Sequence, residues 1–99
     1  MHATPLPDLI MYGRPGCSLC VDARELVVGV LAERRSRALP TPSLVERDIE
    51  SSETWLRAYL TTIPVLELGD QRLELVTSLA RIRRFLSEAL DKPDPPVTG

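Results

Sequence analysis

The first half of the chain reads strand, helix, strand, and that order constrains the fold more than any other feature. Leu9-Ile10-Met11-Tyr12 is a short apolar run ended by Gly13, of the length and bounding of a buried strand. From Ser18 to about Arg35 the apolar residues Ala23, Leu26, Val27, Val30 and Leu31 recur at helical spacing. Asp22 and Glu25 open this segment and Arg34 and Arg35 close it, as the helix macrodipole prefers. Gly29 in its middle costs about 1 kcal/mol relative to alanine and suggests a close packing partner. Leu44 to Ile49 is the second strand. A strand, a crossover helix and a second strand of the same sheet lie parallel and right-handed, so the chain begins with one β-α-β unit.

The second half adds an antiparallel edge. Ser51 or Ser52 caps a short helix running through Leu60, with Trp55, Leu56, Tyr59 and Leu60 on its inner face; that spacing makes Trp55 and Tyr59 core rather than a binding platform. Val65 to Leu68 and Gln71 to Val76 are β-type runs joined by Gly69-Asp70, a pair suited to a tight hairpin. Thr77 or Ser78 then caps a last helix with an apolar stripe of Leu79, Ile82, Phe85, Leu86, Ala89 and Leu90, leaving Arg81, Arg83 and Arg84 outside it. The fold class is therefore α/β, a four-stranded mixed sheet in the order β-α-β-α-β-β-α with helices packed on it. Pro5 and Pro7 mark an extended tail over 1–8, and Pro93, Pro95 and Pro96 a second over 92–99, around one domain at 9–91. Pro40 and Pro42 fall in the loop after the first helix.

Composition narrows the function. At 99 residues there is one core, and 43% hydrophobic with 26% charged residues is the balance of a globular protein that folds in water. A formal charge of -2 is the wrong sign for neutralising phosphates, so nucleic acid is not an expected partner. No apolar run approaches the length needed to span a bilayer, and Met1 to Pro7 lacks a basic stretch followed by an apolar one. A monomer in the cytoplasm, away from membranes, is the expectation.

The chain has two cysteines, Cys17 and Cys20. A bridge between them closes so small a loop that it restricts the unfolded chain by only roughly 2 kcal/mol, which is poor use as a staple. Close spacing suits a bridge that opens and closes, or half of a metal site. They sit in Arg14-Pro15-Gly16-Cys17-Ser18-Leu19-Cys20, where the first strand hands over to the first helix. A cysteine at a helix N-terminus meets unpaired N–H groups and the positive end of the dipole, which favour thiolate over thiol. Cys17 is therefore the expected nucleophile. Cys20, one turn on, is within bridging distance and can resolve a mixed disulfide formed by Cys17. Pro15 keeps Arg14 extended, Gly16 permits a sharp turn, and Arg14 brings a permanent cation that stabilises a thiolate, holds a substrate carboxylate or is simply solvated. On base rates alone, about 5–6% of X-Pro bonds are cis, and Ile63-Pro64 would be read as trans.

Tyr12-Gly13-Arg14-Pro15-Gly16-Cys17-Ser18-Leu19-Cys20 with a long helix after it, then Arg47-Asp48-Ile49-Glu50, then Thr62-Ile63-Pro64-Val65-Leu66, resembles the glutaredoxin-like branch of the thioredoxin superfamily over about residues 9 to 90. The resemblance implies a thioredoxin fold with helices on both faces, and a thiol-disulfide oxidoreductase with Cys17 attacking and Cys20 resolving. It implies that Ile63-Pro64 is cis and faces Cys17, with the Ile63 N–H and C=O pairing to substrate as an added strand. It adds Arg14 and Thr62 to the substrate-binding residues. The expected partners are protein or low-molecular-weight disulfides and a thiol reductase, with no metal and no bound cofactor. Glutathione is expected to be a poor to moderate co-substrate at best, because Leu75-Val76-Thr77-Ser78 stands where glutathione-binding members carry a Gly-Gly turn and an Asp.

Two rival readings remain at this point. A CxxC is half of a zinc or iron–sulfur site, but His2 is the chain's one histidine, so closure would need a second chain or an external thiol such as glutathione. Alternatively, the domain only docks partners and its cysteines are idle. The groups Arg34, Arg35, Arg37 and Arg81, Arg83, Arg84 are read as solvated charge.

Overall fold

The computed structural model of the protein describes residues 6–91. Positions 1–5 and 92–99, and with them His2, most of the N-terminal tail and the whole C-terminal tail, lie outside the described residues. The chain runs β1 (Leu9–Gly13), α1 (Ser18–Ser36), β2 (Leu44–Asp48), a 3₁₀ turn (Ile49–Ser51), α2 (Glu53–Tyr59), β3 (Val65–Leu68), β4 (Gln71–Leu73) and α3 (Leu79–Leu90). The sheet order is β2-β1-β3-β4. β1 pairs parallel with β2 from Leu9 opposite Leu44 to Gly13 opposite Asp48, and antiparallel with β3 from Leu9 opposite Leu68 to Tyr12 opposite Val65. The two most apolar strands are thus central.

Alternation along those strands divides the core in two. Leu9 and Met11 of β1 with Leu66 and Leu68 of β3 meet Ala23, Val27, Val30 and Leu31 of α1 and Ile82, Phe85 and Leu86 of α3 on one face. Tyr12 and Val65 meet Ile49 and Tyr59 on the other, with Ile10, Trp55 and Leu56 packed against them. Helices therefore cover both faces, α1 and α3 on one and α2 on the other, in a thioredoxin-like α/β fold. Tyr12 stacks on Tyr59 with ring centroids 4.4 Å apart and meets Trp55 edge-on at 5.6 Å.

Local chemistry sets the element ends. Ser52 accepts a hydrogen bond from the Trp55 N–H at 3.3 Å, and Ser78 one from the Arg81 N–H at 3.3 Å, so each serine caps its helix through the N3 amide. Asp48 caps the 3₁₀ turn through the N2 amide, accepting from the Glu50 N–H at 2.8 Å, and β2 stops there instead of at Ile49. β4 stops at Leu73, short of the expected Val76, because Leu75 adopts φ +49° and takes the chain out of extended geometry. Leu60 and Leu79, both expected to face inward, are exposed, since each lies outside or at the very start of its helix. Gly29 has no atom within 4 Å of where its β-carbon would stand, so no close packing partner explains it.

The arginine groups divide. Arg35, Arg37, Arg81, Arg83 and Arg84 are exposed as expected, but Arg34 is buried on the same helical stripe as Cys20, Ala23, Val27 and Val30. Its guanidinium grips the Asp91 carboxylate with both ends of its fork, one contact at 3.1 Å, and its Nε–H donates to the Pro40 carbonyl at 2.8 Å. A buried guanidinium is tolerated only with such partners, and Asp91, far along the chain, supplies the charge that local sequence does not show.

Candidate active site

The end of β1 turns into α1 through Arg14-Pro15-Gly16-Cys17. The Cys17 N–H reaches back to the Arg14 carbonyl at 3.4 Å, with Pro15 second and Gly16 third at φ +78°. Proline at the second position and a left-handed glycine at the third are the residues of a type II turn. The turn sets Cys17, in extended geometry, at the N-cap of α1. Its Sγ accepts a hydrogen bond from the Cys20 N–H at 3.1 Å, where a serine or aspartate oxygen would ordinarily cap. A backbone donor and the helix dipole both favour negative charge on that sulfur.

Cys20 follows one turn later with its Cα 5.2 Å from that of Cys17, and the two sulfurs lie at disulfide-bonding distance. Their surroundings differ. Cys17 is half-buried at the rim, while Cys20 is buried on the core stripe of α1 against Gly13. An exchange reaction needs this asymmetry, with one sulfur a partner can reach and one that only its neighbour can.

Arg14 points to the acidic side of the site. Its guanidinium donates to a Glu50 carboxylate oxygen at 2.8 Å, both side chains being about two-fifths exposed. An exposed pair of this kind contributes little stability, about 0–1 kcal/mol, but it gives the cation a resident carboxylate. Beside it, Met11, Arg14, Cys20, Arg24, Arg47 and Asp48 line an open groove of about 400 Å³ between β2 and the start of α1. Arg24 crosses that groove to Glu46 at 3.0 Å. Sequence reasoning missed Glu50 as the partner of Arg14, because the two are 36 residues apart. It also missed the contact of Gly13 with Cys20, for which a glycine ending a strand just ahead of the cysteine turn was the available signal.

The opposite flank is the turn between α2 and β3. The Ile63-Pro64 peptide bond is cis. Because Tyr12 pairs with Val65, Pro64 stands just ahead of β3 at the same sheet end from which β1 leads into the cysteine turn. Cys17 and Ile63 pack against the same core cluster. Two expectations need correction here. The Ile63 N–H donates to the Tyr59 carbonyl at 3.0 Å, alongside the Thr62 N–H at 2.9 Å, so it is not free to pair with an added strand. Pro64 is fully buried and its carbonyl accepts from the Val76 N–H at 2.9 Å, so it offers no surface to a substrate and serves as backing for Ile63. Thr62 turns its hydroxyl inward to the Tyr59 carbonyl at 3.4 Å, and its own carbonyl accepts from the Leu75 N–H at 2.9 Å.

Among the described residues, no cluster of three or more His, Cys, Asp and Glu side chains is placed to hold a metal ion, and no helix is long and apolar enough to cross a membrane.

A thioredoxin-like sheet with a cysteine pair at the N-cap of its first helix defines a dithiol protein of the thioredoxin superfamily. The chain belongs to the glutaredoxin-like domain family (DUF836), whose model matches residues 8–93. Among solved structures, the X-ray structure of target protein XcR50 from X. campestris is similar at 26% identity and a TM-score of 0.63, over 81% of this chain and 96% of that one. The solution structure of protein Ne2328 from Nitrosomonas europaea shares the fold at 22% identity and a TM-score of 0.64, over 91% of this chain and 98% of that one. No curated protein matches the chain.

Proposed function

We propose that the protein is a dithiol thiol-disulfide oxidoreductase of glutaredoxin-like type. The observation that carries this reading is the Cys17 sulfur, half-exposed at a helix N-cap and accepting a backbone N–H, with a buried cysteine sulfur at bonding distance behind it. In the forward half-reaction the Cys17 thiolate attacks a substrate disulfide and the substrate's other sulfur leaves as a thiolate. Cys20 then attacks the Cys17 sulfur, releasing the substrate and closing the Cys17–Cys20 bond. Cys20 cannot compete for substrate in the first step because it is buried, and cannot miss Cys17 in the second because one helical turn fixes their separation.

Arg14, Thr62 and Ile63 border the substrate, with Pro64 behind them. Arg14 serves mainly through its field at the Cys17 turn, since Glu50 already occupies its guanidinium. The Ile63 carbonyl is the backbone group of that segment left for an incoming chain. Protein or small disulfides are the substrates and a thiol reductase restores the dithiol. Glutathione is a poor to moderate co-substrate at best. The protein works as a cytoplasmic monomer with no metal, bound cofactor, nucleic acid or membrane.

Cys20→Ser tests this directly. In the variant the attack by Cys17 proceeds and the second step cannot, so a mixed disulfide on Cys17 accumulates and is visible by mass after treatment with a disulfide. If Cys20→Ser accumulates no adduct while the wild type is oxidised, Cys17 is not the attacking residue; if neither reacts, the protein is not an oxidoreductase.

A further inference from the structure

Leu75 holds φ +49°, a left-handed conformation that a residue with a β-carbon rarely adopts. It is held there from two sides. Its N–H donates to the Thr62 carbonyl at 2.9 Å, and Arg81 from α3 donates to the Leu75 carbonyl at 3.2 Å and the Glu74 carbonyl at 3.3 Å. The next amide, of Val76, donates to the Pro64 carbonyl at 2.9 Å. The loop between β4 and α3 is therefore fastened to the Thr62–Pro64 segment beside the dithiol. The one part of Leu75 without a partner in this arrangement is its side chain, which is 49% exposed.

Several of the polar groups on this flank are already engaged. The N–H groups of Ile63, Leu75 and Val76 all have carbonyl partners, the Arg81 guanidinium rests on two carbonyls, and Arg14 is paired with Glu50. Beside the Arg14–Glu50 pair, this end of the molecule presents exposed apolar side chains. Of the seven exposed large hydrophobic residues among those described, Leu19 and Val21 lie in the first turn of α1, Leu60 just before the Thr62 turn, and Leu75 and Leu79 on either side of the α3 cap. Five of the seven thus belong to segments that converge on the cysteine end of the sheet.

We propose that the Glu74–Thr77 loop is the recognition element of the dithiol site, and that the partner it selects is an apolar stretch of polypeptide carrying the disulfide, with Leu75 and Leu79 covering that stretch. The proposal rests on the oxidoreductase reading and specifies its substrate class. One sulfur of the polypeptide disulfide is attacked by the Cys17 thiolate. The other departs as a thiolate and takes a proton from water. Cys20 gives its proton to water, attacks Cys17 and expels the first sulfur as a thiolate, which is protonated in turn. Two electrons and two protons pass from the protein dithiol to the polypeptide, and the protein is left as the Cys17–Cys20 disulfide. Arg81 is a positioning residue that holds the backbone of Leu75 and touches no substrate.

The test is a single turnover with the pre-reduced full chain, quenched by alkylation and read by mass. Three oxidants are compared at equal sub-saturating concentration: a peptide closed by a disulfide with Val and Leu flanking its cysteines, the same peptide with Asp and Ser flanks, and oxidised glutathione. Covering a leucine side chain predicts that the apolar peptide reacts at least about tenfold faster than either of the others. Leu75→Asn, whose side chain tolerates φ > 0, should bring the two peptides within about threefold of each other. Leu75→Gly, which removes both the side chain and the strained geometry, should do the same while raising the denaturation midpoint, so a loss of preference cannot be assigned to unfolding. Equal rates for the three oxidants in the wild type, or an undiminished preference in both variants, overturns the proposal while leaving the oxidoreductase reading standing. Failure of all three oxidants to close the Cys17–Cys20 bond overturns both.

Discussion

A β-carbon placed on Gly13 would stand 3.3 Å from both the Cβ and the Sγ of Cys20, so the end of β1 touches the second cysteine with no space for a side chain between them. Gly13→Ala keeps the backbone geometry available but makes Cys20 give way by a few tenths of an ångström. Overpacking of this kind costs about 1–3 kcal/mol. The expected outcome is a lower denaturation midpoint and slower closure of the Cys17–Cys20 bond in the reduced variant mixed with an oxidant, with the initial alkylation rate of Cys17 unchanged. Wild-type closure kinetics in Gly13→Ala would show that the contact does not govern Cys20.

Brief labelling of the reduced protein at neutral pH should modify Cys17 ahead of Cys20. One sulfur is half-exposed and accepts the Cys20 N–H; the other is buried. Access together with the helix N-cap position predicts at least about a tenfold difference in rate. Peptide mapping after limiting alkylation reads it, and equal labelling contradicts the assignment of roles.

Asp91→Ala should lower stability by about 2–3 kcal/mol, because it leaves the Arg34 guanidinium buried between α1 and α3 with only the Pro40 carbonyl as partner. Arg34→Met, which removes the buried charge and keeps much of the volume, should cost less. Chemical denaturation of the two variants checks the ordering. The reverse order would mean that the fork contacts matter less than the packing of the arginine stem.

Burial, followed by the neighbouring Glu67 carboxylate, pushes the Tyr12 hydroxyl up to about 12 from an ordinary value near 10. Because the folded value lies above the unfolded one, the folded state holds its proton where the unfolded chain has lost it. The stability from neutral Tyr12 is therefore fully present below pH 10 and is lost as pH rises toward 12. Tyr12→Phe should flatten the stability profile in that window, and the late part of the wild-type tyrosinate absorbance should vanish in that variant. An unchanged late absorbance in Tyr12→Phe would contradict this.

Acid should act through Glu33, whose carboxyl is held below its ordinary range chiefly by the hydrogen bond from Arg83, with the guanidinium charge adding to it. The folded carboxyl stays ionised at pH values where the unfolded one is protonated. Its contribution is present above the ordinary glutamate range and fades as pH falls through the folded value. Glu33→Gln should reduce the slope of stability against pH below about 4.5, measured by denaturant midpoints, by lowering stability slightly at neutral pH and leaving it nearly unaffected in acid, where both side chains are uncharged. An unchanged slope would show that the pair does not outlast solvent screening.

What could be read from the sequence was what short segments decide for themselves. The alternation in Leu9–Tyr12, the Gly69-Asp70 hairpin, the serine caps and the position of Cys17 ahead of a helical stripe each depend on residues within a turn of one another. The failures share the opposite property. Arg34 looked like a solvated helix end because its partner Asp91 is 57 residues away. The run Gln71 to Val76 looked like one strand because nothing local announces that Leu75 will be drawn to positive φ by Thr62 and Arg81. At the candidate site the placement of Cys17 and Cys20 at the start of α1 was legible, whereas the occupation of Arg14 by Glu50 and of the Ile63 amide by Tyr59 depends on how separate elements dock.

The sheet order has a consequence for self-association. β1 and β3 fill the middle, and the strands left outermost are β2, ending in the exposed Glu46-Arg47-Asp48, and β4, three residues long with an exposed Arg72. Short, charged margins are poor templates for the backbone of another molecule. A chain with exposed leucines and valine on the segments at the cysteine end of its sheet has use for such margins, because a neighbour zipped along an open strand would stay and invite more copies to stack.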